Sequence, residues 1–182
     1  ADCYFMMRDY ERSAELYEQV ANTNYDRNDL YPRYQGAMSY GLLSQFDKKI
    51  DLLRNITDLS PKSPIYPMAL YELGRTYVQT GKNERAKKCY EKLMSDVRDS
   101  VYFTKALLEM GMIASNEGDT KKALSYYSTL VEQHPLSEES TSALAGIESL
   151  YQSMNKPEEY LAYLDRIGMS SLKTADEKEL MF

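Results

Sequence analysis

The residues of this chain whose types could support catalysis or metal binding are few: one histidine, His134, two cysteines, Cys3 and Cys89, and the acidic pairs Glu138-Glu139 and Glu158-Glu159. A nucleophile needs a base within hydrogen-bond reach, and a metal needs several ligands gathered by close spacing. His134 stands before Pro135, and no Ser or Cys is linked to it by a nucleophile motif, so it reads as a surface turn residue. Each cysteine has apolar or aromatic neighbours at helical spacing and no second Cys or His nearby. That pattern excludes a redox motif or metal site and predicts two free thiols. The acidic pairs fall where helices begin, and carboxylates there complement the helix dipole. No Gly-rich phosphate loop is present. The sequence therefore carries no catalytic site, cofactor site or metal site, and we expect no enzymatic activity.

What remains is non-covalent recognition, and charge narrows it. Lys and Arg number 22 against 28 Asp and Glu, a formal net charge of −6. Gripping nucleic acid or anionic lipid requires clustered cations. The longest basic cluster, Arg85-Ala86-Lys87-Lys88, is interleaved with Glu84 and Glu91 at helical spacing and reads as a solvated face. No nucleic-acid partner is expected. No run of 18 apolar residues occurs, and residues 1–20 lack the segments of a signal peptide, so the chain as given is expected to be soluble and not inserted in a membrane. Hydrophobic residues make up 43%, enough for a core, and with 17 Tyr and no Trp the large gap-filling side chains have polar tips.

The elements that must position these residues follow from an internal period. Ser63, Ser100 and Ser137 recur every 37 residues, and the same shift relates Ala69, Ala106 and Ala143. It also maps Gly74 to Gly111, Gly81 to Gly118, Ala86 to Ala123, Tyr90 to Tyr127, Leu93 to Leu130 and Tyr40 to Tyr77, and takes Pro61 to Pro135 in two steps through Arg98. Each unit reads as two amphipathic helices, with apolar spacing in Leu70, Leu73, Gly74 and Tyr77, then in Ala86, Cys89, Tyr90 and Leu93. Gly81 and Gly118 lie where a helix end needs a left-handed residue, and Asn155 replaces them in the next unit. Pro61 and Pro135 stop the second helix, and the serine two residues on can cap the next first helix. Pro67 offers an alternative first-turn position.

These residues resemble the tetratricopeptide repeat family, whose signature pairs a small residue in the first helix with one in the second. Gly74 with Ala86 and Gly111 with Ala123 match that pair, which lets two backbones approach while Tyr77 and Tyr90 fill the space beside them. The family repeat is about 34 residues, so each unit here is about three residues longer, between the serine and the apolar stripe. A longer first helix would absorb them. The Pro-x-Ser link and the longer unit are similar to bacterial envelope repeat proteins, the outer-membrane assembly lipoprotein and the Tol-Pal coordinator. The pattern departs from the family where Lys49 takes a small position, and where Glu148 and Tyr160 take both, so those hairpins are expected to pack less closely.

The resemblance implies an all-α, right-handed superhelical solenoid of antiparallel helix pairs. A single array over residues 1–182 is expected, with a partial hairpin at 1–23, full hairpins at 26–60, 63–97, 100–134 and 137–168, and the start of a further helix at 169–182. Such a pattern reads as a piece of a longer protein. First helices of this family line a concave surface. If the register holds, that face carries Tyr34, Met38 and Leu42, then Tyr71, Arg75 and Val78, then Leu108 and Met112, then Ser149 and Gln152. Tyr, Met and Arg are enriched in protein interfaces. The carboxylate clamp used by some members is absent, because the matching positions are Tyr34, Met38, Glu72 and Lys105, with Glu109 one turn away. The expected role is a protein-interaction scaffold for a peptide, helix or protein partner, in the periplasm or envelope of a bacterium. The alternatives are a structural spacer within a longer array, or an RNA-binding helical repeat, which the acidity disfavours.

Overall fold

The computed structural model describes residues 1–23, 29–97 and 101–169, and their regular structure is helical throughout. Arg98, Ser100, the start of the hairpin placed at 26–60 and the further helix begun at 169–182 fall wholly or nearly so outside the described residues. The helices are α1 (Asp2–Met6), α2 (Tyr10–Asn22), α3 (Tyr31–Leu42), α4 (Phe46–Leu59), α5 (Tyr66–Gln79), α6 (Asn83–Asp96), α7 (Val101–Asn116), α8 (Thr120–Gln133), α9 (Glu138–Ser153) and α10 (Pro157–Arg166). They form antiparallel pairs, odd-numbered helix first, in two compact units, Ala1–Arg98 and Asp99–Phe182.

The turn within each pair recurs with the sequence period. Gly81 (φ 72°), Gly118 (φ 77°) and Asn155 (φ 55°) are left-handed, as their residue types predict. Lys82 N–H reaches back to the Tyr77 carbonyl at 2.8 Å, and Gly81 N–H to that of Val78 at 3.0 Å, so carbonyls at the end of α5 are satisfied. Arg8 (φ 62°) and Ser44 (φ 58°) take the same conformation in the first two pairs. Neither residue type favours it, so the packing of the flanking helices imposes the turn there.

The links between pairs differ in detail from expectation. Helix α4 ends at Leu59 before Pro61, and α8 at Gln133 before Pro135. Ser63 does not cap α5: its Oγ accepts from Ile65 N–H at 3.2 Å, and the helix begins at Tyr66 with Pro67 in its first turn. The extra residues of that unit are thus spent in the link. Ser137 occupies the N-cap position of α9, but its side chain makes no capping bond.

In the first unit the sequence's small residues act as sockets. A Cβ at Gly74 would lie 2.6 Å from Tyr90 Cε1, so the ring of α6 rests directly on the α5 backbone. Cations of the second helices lie over tyrosines of the first: Arg12 on Tyr4 at 5.7 Å, Lys48 on Tyr40 at 4.7 Å and Arg85 on Tyr77 at 5.9 Å from the ring centroids. Each pair joins residues eight apart across a turn. Buried tyrosines also send their hydroxyls to carboxylates at the rim: Tyr66 to Asp96 at 2.8 Å, Tyr40 to Glu18, and Tyr17 to Asp2. Burial and the Glu18 carboxylate push the Tyr40 phenol up to about 12.

In the second unit one ring fills two sockets. Tyr127 of α8 lies against Gly111 of α7 and Gly146 of α9, where a Cβ would come within 2.7 Å of it. Tyr160, in a position the family keeps small, is fully buried and donates to Glu148 Oε2 at 3.3 Å. The α9 and α10 backbones approach less closely than those of α7 and α8, which is the looser packing the sequence predicts. Glu139 is not only a first-turn carboxylate: it is buried, and accepts from Thr104 of α7 at 2.9 Å.

Candidate protein-binding face

The first helices of the first unit, α3 and α5, each bury one side, through Ala37, Ser39 and Tyr40 on α3 and Ala69, Leu70, Leu73 and Tyr77 on α5. Their other sides hold the residues expected to meet a partner. Tyr34, Met38, Tyr71 and Val78 are half-buried, and Leu42 and Arg75 are exposed. Tyr31, at the start of α3 and not among the expected contact residues, is exposed; its ring stands edge-on to Tyr17 and its hydroxyl donates to Asp2 Oδ1 at 3.1 Å. In the second unit, Leu108 is half-buried, while Met112 of α7 and Ser149 and Gln152 of α9 are exposed.

A charged cluster joins α3, α4 and α5 beneath this face. Lys49 Nζ of α4 lies 3.0 Å from Glu72 Oε2 of α5, and Arg75 Nη1 lies 3.1 Å from Glu72 Oε1. Arg75 also stands over the Tyr71 ring, 6.0 Å from its centroid, and that ring tilts against Tyr90 at 6.1 Å. Lys49 is only 8% exposed. Its stem lies along Gly41 of α3, where a Cβ would sit 3.0 Å from Lys49 Cδ. The expected loosening at Lys49 is therefore corrected by two neighbours: Gly41 makes room for the stem and Glu72 neutralises the head. The Gly41 signal was present in the sequence but lies one turn from the family's small position, so the pairing with Lys49 was not legible.

The remaining chemistry-bearing residues are placed apart from this face. His134 caps the end of α8, half-buried, with its ring 5.4 Å from that of Phe103. Both cysteines are free thiols, Cys3 exposed and Cys89 buried, and burial pushes the Cys89 thiol up to about 11. Lys87 pairs with Glu84 at 2.6 Å, as its helical spacing predicts. Among the described residues no His, Cys, Asp and Glu group could hold a metal, and no helix is long and apolar enough to cross a membrane.

This arrangement of paired helices has known counterparts. The family model described as the SusR N-terminal TPR domain matches residues 4–133. Among solved structures, MamA is similar with a TM-score of 0.72 and 18% identity, covering 100% of this chain and 96% of that one. BtubC (BKLC) from P. vanneervenii is similar with a TM-score of 0.73 and 15% identity, covering 94% and 76%. YrrB, described as a TPR protein with an unusual peptide-binding site, gives 0.64 and 19%, covering 91% and 80%. At these identities the solved structures establish a shared fold, and the matched family is a repeat domain, with no catalytic family indicated. The chain is an all-α array of tetratricopeptide-type helix pairs and belongs to the SusR N-terminal TPR domain family.

Proposed function

We propose that this chain is a non-enzymatic scaffold that holds a peptide or helix of a partner protein on its first helices. The contact residues are Tyr34, Met38, Tyr71, Arg75 and Val78 in the first unit, and Leu108 and Met112 in the second. The observation that carries this reading is the outward side of α3 and α5, where Tyr34, Met38, Tyr71 and Val78 are half-buried and Arg75 stands over the Tyr71 ring. Such side chains bury large area around a polar handle, and Met adapts to irregular partners. The peptide-binding site described for YrrB supports the same use of the fold.

The test is site-specific photocrosslinking in cells of the protein's source. Crosslinkers at positions 38, 71 and 112 should capture a discrete protein, and one at the solvent side of α6, position 88, should not. Tyr71→Ala and Arg75→Ala should abolish capture from position 38 while leaving the melting temperature nearly unchanged. Capture from position 88 alone, or unfolding by Tyr71→Ala, would overturn the assignment. A place in the bacterial envelope is the finer part of the proposal and rests on the Pro-x-Ser link and the 37-residue unit. Recovery of the protein in the cytosolic fraction would refute it.

A further inference from the structure

On the outward side of α3 and α5 the sequence repeats at one position and changes at the next. Tyr34 and Tyr71 are 37 residues apart and both are half-buried, and the same shift takes Met38 to Arg75. Each helix therefore offers a tyrosine and, one turn on, a second side chain on the same face. On α3 that side chain is a half-buried thioether, and on α5 it is an exposed guanidinium.

The charges beneath this face decide what the guanidinium can take. Lys49 Nζ lies 3.0 Å from Glu72 Oε2 and Arg75 Nη1 lies 3.1 Å from Glu72 Oε1, so cations engage both oxygens of the one carboxylate. The Glu72 side chain is 16% exposed and that of Arg75 55%. A segment laid on α5 thus meets the cation of the cluster and not its anion. Arg75 is also held in place, by Glu72 and by the Tyr71 ring 6.0 Å away, which lowers the ordering cost of a further hydrogen bond. Glu72 is the only acidic residue of α3 and α5, although the chain as a whole has a net charge of −6. Covering a guanidinium with a partner is unfavourable unless its N–H groups meet acceptors, and a carboxylate matches their fork. Phosphate recognition uses clusters of arginine, and α5 has one.

We propose that the first unit selects an extended peptide segment that sets an apolar side chain over Tyr34 and Met38 and, about three residues away, an Asp or Glu side chain on Arg75. The inference rests on the reading of α3 and α5 as the partner-binding face and names the chemistry of the partner. The spacing follows from Lys49, whose stem lies along Gly41 of α3 and whose ammonium reaches Glu72 of α5. Helices packed this closely are about 10 Å apart, which an extended chain crosses in about three residues. The selected carboxylate is on a side chain within the segment, unlike the terminal carboxylate held by the clamp that this sequence lacks.

The test selects random dodecapeptides displayed on phage against the intact protein at low salt. Enriched sequences should carry Asp or Glu about three residues from a Leu, Met or aromatic residue. General attraction cannot produce that outcome, because the chain is itself acidic. A synthetic copy of the most enriched peptide, followed by fluorescence anisotropy, should bind Arg75→Gln at least about ten-fold more weakly than the parent. The same peptide with its carboxylate replaced by carboxamide should bind parent and variant alike, at the weakened level. The amide peptide probes the contact on the unaltered protein, so a folding defect in the variant cannot imitate the result. Selection on Arg75→Glu should exchange the acidic position for Lys or Arg and keep the apolar one. A selection that enriches no acidic position, equal binding of acid and amide peptides by the parent, or an acidic peptide indifferent to Arg75→Gln would each overturn the inference. If the peptides found are weakened by Met38→Ala and Tyr71→Ala, the partner-binding face survives that failure; if neither change weakens them, the face falls with it.

Discussion

At Ser44 the backbone takes a left-handed conformation that costs a residue with a Cβ about 1 kcal/mol relative to glycine. Ser44→Gly should therefore stabilise the protein by about 1 kcal/mol, and Gly81→Ala should destabilise it by a similar amount. Urea unfolding measures both, and the second change is a clean backbone effect because a Cβ at Gly81 would meet nothing within 4 Å. A second residue-scale property is alkaline sensitivity. The Tyr40 phenol titrates near 10 when unfolded and about 12 when folded, so its contribution to stability is complete below pH 10 and is lost as pH rises towards 12. The drop in melting temperature between pH 10 and 12 should be smaller in Tyr40→Phe. An unchanged slope would place the effect on the other buried tyrosines. The turn glycines were legible in the sequence because glycine and asparagine announce the conformation. Arg8 and Ser44 were not, because there tertiary packing overrides local preference.

Between elements, close approach is set by rings on glycines. Gly111→Ala or Gly146→Ala forces the Tyr127 ring off one of its two supports, with an expected cost of about 1–3 kcal/mol by thermal or denaturant unfolding. Each change should be relieved in part by Tyr127→Leu, which shortens the ring's reach. The junction of α3, α4 and α5 is held differently, by charge. Lys49→Ala removes a buried stem and leaves Glu72 to Arg75 alone, and should cost about 2–4 kcal/mol. Lys49→Met combined with Glu72→Gln keeps the volume without the ion pair and should recover most of that loss. The paired helices themselves were readable from the 37-residue period, since spacing of apolar residues fixes helix faces directly. The Lys49–Glu72 pair was not, because it joins residues 23 apart in sequence whose partnership only the stacking of helices creates.

For the whole molecule, the net charge of −6 opposes a sequence-independent hold on nucleic acid. No shift of mixed single-stranded RNA is expected at low salt, and a clear shift would favour the RNA-binding reading over the protein scaffold. The fold was legible at this scale because a repeat encodes its neighbours as well as itself. What the proposed first-helix face would hold was not, since partly exposed Tyr and Met side chains carry no mark of a particular partner. The cation–tyrosine locks in the first three pairs have a kinetic consequence. Each closes a loop of only eight residues and never leaves its own hairpin, so it can form before the next hairpin has left the ribosome. Synthesis of this unit should then proceed as a series of fast local closures, each finished hairpin offering the next a ready surface on which to condense.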